Sequence, residues 1–359
     1  MAEIFNLPAK EQFDLMNQHL EKIANTRVQE DYSNAPGGKF LLAGDKNAGF
    51  FGFVPASDLI TGDQIALDVG ISAGTLQFSD TPWIKYIFKG RICFIPVKPI
   101  RHSTTWNAIY EAGAVYASND EGTLPPNGRI GTQLSISATD NSINTTTEHF
   151  KGDKSSGMDY ADTVAAVGDT VVLKGWANSA NNGEFTVSSI TDTKIVLSGG
   201  SLVTESGNKK GRIYPKANAV TQNKVVTING LKYRVRLIHG AASDPVDSYA
   251  NADRGSIGPD NEWNAIILPL HEHAKLQNWN YPAYAGTTED WGVYLTDADL
   301  ITHHTFGSGN YTWCQETRDD SATWRRVVRG NYGASCLGAG FSWDSASYGG
   351  WRPVLELLG

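Results

Sequence analysis

Cysteine is scarce in this chain: three in 359 residues, Cys93, Cys314 and Cys336. No two of them form a CxxC pair, which excludes a zinc ribbon or a thioredoxin-like centre. Cys314 and Cys336 leave two readings open, a disulfide or a pair of buried thiols. Basic clusters are missing as well. The 30 Lys and Arg stand against 38 Asp and Glu, for a formal net charge of −8, and no segment gathers the cations into a run. Nucleic acid is therefore not an expected partner. No uninterrupted apolar run approaches the roughly 18 residues of a membrane helix, and the opening residues lack the apolar centre of a signal peptide. The expectation is a protein made in a cytoplasm and not inserted into a membrane.

Catalytic motifs are also lacking. His271-Glu272-His273 places its histidines two apart, whereas a zincin needs them four apart on one helix face. His303 and His304, near Asp297 and Asp299, are adjacent and cannot easily face one metal. There is no GxSxG elbow, no P-loop and no GxGxxG after a strand. The carboxylate pairs Glu289-Asp290 and Asp319-Asp320 read as solvated loop residues. No catalytic residue, no metal and no cofactor is expected, and the chain reads as a non-enzyme. An enzymatic alternative would need a deep pocket around His271, His273 and Asp297.

What the chain does contain is a series of local signals. In residues 1–30 the apolar Phe13, Met16, Leu20 and Ile23 recur in steps of three and four, which predicts a helix with a narrow sticky stripe. Such a stripe pairs with copies of itself, an oligomerisation helix, or packs on its own chain. Residues 31–81 read as a turn-rich linker followed by a small β element built from FFGFVP, QIALDVGI and TLQF. In 83–100 two alternating apolar stretches flank Lys89-Gly90, a hairpin signal, and Ser103 to Thr105 cap a short helix over 107–112. Between 132 and 219 aromatics thin out and Ser, Thr, Asn and Asp dominate. Strands at 171–173, 183–190 and 194–197 there predict a small antiparallel sandwich or barrel, with 140–159 as a mobile surface loop. A second hairpin, 225–238 around Asn229-Gly230, returns the chain to a core-like composition, so 132–219 reads as an insertion.

Aromatic residues concentrate at the end. Seven of the ten tryptophans lie in the last hundred residues, more than a core alone requires. Trp263, Trp313 and Trp351 are expected to fix loops from within. Apolar strands at 326–328 and 353–358 bracket a Gly-, Ser- and Asn-rich stretch that is not expected to form a regular element, which places Tyr332, Phe341, Trp343 and Tyr348 on loops. With Ser345, and with Trp324 and Arg325 at the margin, these are the candidate contact residues, since aromatics beside small polar residues are what binding loops favour.

The segments NEWNAIILPLH, TWCQE, WRRVVRG and GGWRPVLEL resemble the C-type-lectin-like fold of the formylglycine-generating-enzyme kind found in bacteriophage virion proteins. WIKYIFKGRICFIPVKPI, TTWNAIYEAGAVY and INGLKYRVRLIHG are similar to earlier parts of those proteins, and the opening residues to their attachment helix. The resemblance spans 1–131 and 220–359. It implies an α+β, mostly β chain, with a C-type-lectin-like domain over 82–131 plus 220–359, an inserted small antiparallel β domain and an N-terminal helix. Cys314 and Cys336, in TWCQE and GASCLG, do not match the copper-binding cysteine pair of the enzymes, so the resemblance points away from that chemistry. It implies a virion component assembled in the host cytoplasm, a tail or baseplate appendage for host attachment. The alternative is a purely architectural collar, baseplate or capsid-decoration subunit. Expected partners are other virion proteins, copies of the chain itself, with a trimer as the favoured form, and a glycan or protein of the host surface.

Overall fold

Two tight turns set the register of the central sheet. Lys89 and Gly90 have φ of 48° and 77°, and Asn229 and Gly230 have 50° and 80°, the double positive φ that a type I′ hairpin turn requires. They join strands Trp83–Phe88 to Arg91–Pro96 and Val225–Ile228 to Leu231–Arg236, both as expected. The last strand, Val354–Leu357, enters between the hairpins, with Leu355 opposite Phe94 on one side and Leu357 opposite Tyr233 on the other. The computed structural model describes residues 34–146, 150–151, 163–247, 261–271, 290–292, 294–300, 311–319, 325–330, 333–345 and 349–359. Phe13, Met16, Leu20 and Ile23 of the expected oligomerisation helix lie outside the described residues, as do Trp324, Tyr332 and Tyr348.

Residues 31–81 do not form a β element of their own. Strands Ala43–Gly44 and Ala48–Val54 join the edge of the central sheet, Ala48–Val54 pairing with Trp83–Phe88. The buried Lys85 donates to the Gly38 carbonyl at 2.7 Å and ties the irregular lead-in to that sheet. QIALDVGI is a helix, Gly62–Val69, and not a strand. Its buried Ile65, Ala66 and Val69 share one helical face, and Gly70 stops it in the left-handed conformation at φ 86°. The second expected helix is present as Trp106–Glu111, capped by the Thr105 side chain, which accepts from the Ala108 amide at 3.0 Å.

The insertion is a single antiparallel sheet of seven strands between residues 129 and 215. The three predicted strands appear as Thr170–Lys174, Gly183–Ile190 and Lys194–Ser198. Ser142–Thr145 is also a strand, paired with Lys194–Ser198, so the loop expected over 140–159 is partly sheet. Leu134, Ile143, Val171, Leu173, Val187, Ile195 and Ile213 give this unit its own core.

A third sheet contains much of the aromatic-rich C-terminal stretch. Its order runs Gly333–Phe341, Arg325–Gly330, Tyr311–Asp319, Gly349–Trp351, Arg101–His102 and Thr75–Leu76. The stretch expected to be irregular thus contains a nine-residue strand, Gly333–Phe341. Small residues serve close approach here: a Cβ on Gly340 would lie 2.7 Å from the Trp313 ring. That indole is fully buried and donates to the Thr104 carbonyl at 2.7 Å. Trp263 and Trp351 are fully buried too, as expected.

Two apolar clusters lie against the central sheet. One joins Trp83, Phe94, Tyr233 and Leu355 to Trp106, Trp313 and Trp351, and the other joins Ile84, Phe50 and Val354 to Trp263, Ile266 and Leu270. Within the second cluster the buried Arg236 guanidinium meets both Glu262 oxygens, at 2.7 and 2.8 Å, and its Nε meets Glu356 at 3.2 Å. Tyr86 donates to Glu262 at 2.8 Å, and the His239 amide does so at 3.0 Å. Burial opposes ionisation of Glu262, but the Arg236 charge and hydrogen bonds outweigh it and hold the carboxyl down at about 2. Removing one partner of such a pair strands the other in the core. Glu262→Ala is expected to lower the unfolding free energy by about 3–5 kcal/mol, read from urea denaturation followed by tryptophan fluorescence. A loss under about 1 kcal/mol would show that the pair does not hold this core.

Candidate functional site

Strand alternation splits the Arg325-Arg326 pair. Successive side chains point to opposite faces, so Arg326 turns inward, where its guanidinium lies 4.1 Å over the Trp106 ring and donates to Thr317 Oγ1 at 2.8 Å and to the Leu124 carbonyl at 3.2 Å. Arg325 turns the other way. Register places it directly opposite Phe341, and its guanidinium lies 4.6 Å over the Phe341 ring. The chain then turns, with the Asp344 amide donating to the Phe341 carbonyl at 2.9 Å. That turn brings the Trp343 ring to 5.3 Å from Phe341 at an interplanar angle of 22°. Arg325, Phe341 and Trp343 are half-buried and Ser345 is exposed.

The next cross-strand pair, Val327 and Ala339, lines a small depression with Val246, Arg318, Leu337 and Gly338, where Val246, Val327 and Leu337 are buried members of the second apolar cluster. It has room for roughly one water-sized group. Three of the described candidates therefore converge: Arg325, Phe341 and Trp343 stand together at the end of two strands, and Ser345 follows on the exposed turn. Phe341 is a strand residue, not a loop residue as expected, because Gly333–Phe341 pairs with Arg325–Gly330 along its length.

Of the other candidate chemistry, only part falls among the described residues. His271 is buried at a bridge to Leu295; His273 and the Asp297 side chain lie outside the described residues. Among the described residues no three His, Cys, Asp or Glu stand close enough to hold a metal ion, and no helix is long and apolar enough to cross a membrane. The three cysteines are buried and none is in a disulfide among the described residues. Cys314 and Cys336 sit on strands separated by Arg325–Gly330, a spacing of about 10 Å that a disulfide does not span. Burial pushes the Cys314 thiol well up.

One acidic group near the depression was not singled out by sequence. Asp244, two residues before Val246, accepts from the Thr317 amide at 2.9 Å. Glu316 beside it pairs with His239 at 3.1 Å and accepts from the Gly240 amide at 3.0 Å. Burial, reinforced by the Glu316 charge, pushes the Asp244 carboxyl up to about 7, against opposing pulls from the Thr317 amide, Arg326 and Thr123. Its partners are some seventy residues away along the chain, and no spacing rule announces them.

Compared with protein-family models, with curated proteins and with solved structures, the chain matches none.

The Asp244 carboxyl carries a pH signature. Its folded value lies above its ordinary 3.8, so the native state holds the proton that the unfolded chain releases. Stability from this group is complete below about pH 4, falls as pH rises to about 7, and is flat above. The full shift corresponds to about 4 kcal/mol. The residue keeps some exposure, and solvent screening brings the expected effect to about 1–2 kcal/mol. Asp244→Asn should therefore stabilise the protein by that amount at pH 8 and change little at pH 4, measured by urea midpoints. Equal effects at both pH values would assign the change to packing instead.

Proposed function

We propose that this chain is a structural protein of a bacteriophage virion, a tail or baseplate appendage that uses a C-type-lectin-like domain to attach to the host surface. The observation that carries the reading is the Arg325, Phe341 and Trp343 stack, presented with the exposed Ser345 at the open end of a strand pair whose inner face is packed on Trp313 and Trp106. Aromatics and arginine are the residue types that dominate recognition surfaces, and a rigid support lowers the entropy lost on binding. The sheet that inserts between residues 129 and 215 leaves this end of the chain intact, in keeping with a module added to a display domain. Several copies per particle, with residues 1–30 holding them in a trimer, turn a weak single site into firm adhesion.

A second reading, a purely architectural subunit, is favoured by a separate surface. Phe53 and Tyr294 are 36% and 47% exposed with rings 5.8 Å apart, above the buried Phe50, and Leu42 is 51% exposed. Aromatics left exposed in this way fit burial against a neighbouring subunit.

Particles carrying Phe341→Ala with Trp343→Ala are expected to assemble in normal yield and to adsorb to the propagating strain at least about tenfold more slowly. Particles carrying Phe53→Ala with Tyr294→Ala are expected to lose yield while retaining adsorption per particle. Unchanged adsorption in the first set, with lost yield, would select the architectural reading.

A further inference from the structure

We propose that the host ligand of this surface is an anionic oligosaccharide, whose carboxylate or phosphate group is taken by Arg325 and one of whose sugar rings lies on the Trp343 face turned away from Phe341. The proposal rests on the attachment reading above and deepens it.

Arg325 is the starting point. In a chain of net charge −8 it has no carboxylate partner among the described residues: its guanidinium lies on the face of Phe341, and its buried Nε has no hydrogen-bond partner among them. A half-buried guanidinium with unfilled donors is unfavourable until an acceptor arrives. Stacking uses only the face of the planar group and leaves its in-plane N–H donors for an oxyanion, which a guanidinium binds through two parallel hydrogen bonds. The neighbouring Arg326 turns to the inner face, where it donates to Thr317 and Leu124, so of the pair Arg325 is the one turned toward Phe341 and Trp343.

The rest of the surface fits a sugar. Trp343 is stacked on Phe341 at 22° and Arg325 lies over the same Phe341 ring, so the electron-rich, apolar face offered to the C–H face of a pyranose is the Trp343 face turned away from Phe341. The depression one residue pair further along is apolar on the Val246, Val327, Leu337 and Ala339 side and bordered by Arg318.

The test uses the full chain with three polymers: oligogalacturonate for a carboxylate, poly(glycerol phosphate) for a phosphate, and neutral dextran. Titration calorimetry at 50 and 300 mM salt is expected to show binding to one of the two polyanions, weakened by salt, and none to dextran. Arg325→Ala should weaken that binding at least about tenfold, and Arg325→Lys should recover only part of it, since a point charge cannot make the bidentate contact. Trp343→Ala should weaken it at constant salt dependence. Binding to neither polyanion, equal binding to dextran, or an unaffected Arg325→Ala variant overturns the proposal. Adsorption of particles to the propagating strain, run in parallel, separates the two levels. If adsorption still depends on Trp343 but is abolished by protease treatment of the cells and untouched by periodate, attachment stands and the ligand is a protein.

Discussion

The structure depends on a charged contact placed where water is absent. Arg236, on a hairpin strand, grips Glu262 at the start of the helical segment and Glu356 on the last strand, while Tyr86 of the other hairpin reaches the same Glu262. Four separate pieces of chain must therefore arrive together before any of these groups is satisfied. A buried pair of this kind contributes less net stability than an apolar replacement would, and its value lies in admitting only one arrangement. Glu262 opens the helical turn that carries Trp263, whose indole donates to the Ala334 carbonyl at 2.8 Å. The positions of the central sheet and of the Gly333–Phe341 strand are linked through that one turn.

Trp313 does for the opposite face what the ion pair does for the core. Its indole lies where Cβ atoms of Gly340 and Gly349 would be, at 2.7 and 3.0 Å, so the glycines of the display region serve close packing instead of looseness. This explains how a segment of poor strand propensity holds a Phe and a Trp in fixed orientation. The rigidity belongs to the tryptophan beneath, and the small residues allow it.

What was legible in the sequence was local. Lys89-Gly90 and Asn229-Gly230 announced their turns because the left-handed conformation is decided by the two residues themselves, and Thr105 announced a helix because its cap lies three residues away. The inserted unit was visible from its alternation and turn spacing. The Gly62–Val69 helix was read as strand because eight residues hold too few turns for a 3.6 period to stand out against alternation. Gly333–Phe341 was hidden for a different reason: its strand conformation comes from pairing with Arg325–Gly330 and from Trp313, not from propensity. The candidate residues were found as a composition, but that Arg325 faces Phe341 while Arg326 faces Trp106 follows from register alone. The Arg236 and Asp244 networks, joining residues from 26 to 120 and about 73 positions apart, had no signature at all.

The place of Val354–Leu357 in the middle of the central sheet has a consequence for synthesis. The strands Arg91–Pro96 and Leu231–Arg236, which flank it, have no contact with each other across the sheet until it enters. Both emerge from the ribosome more than a hundred residues earlier, so they wait with an open slot between them, and closing that slot is a late, long-range event. A chain cut short before residue 354 lacks the piece that joins the two halves of its largest sheet. It would expose two bare strand edges and be a substrate for proteolysis and not for assembly. The central sheet closes, and the Gly333–Phe341 strand gains its fixed support, only after Val354–Leu357 has been made.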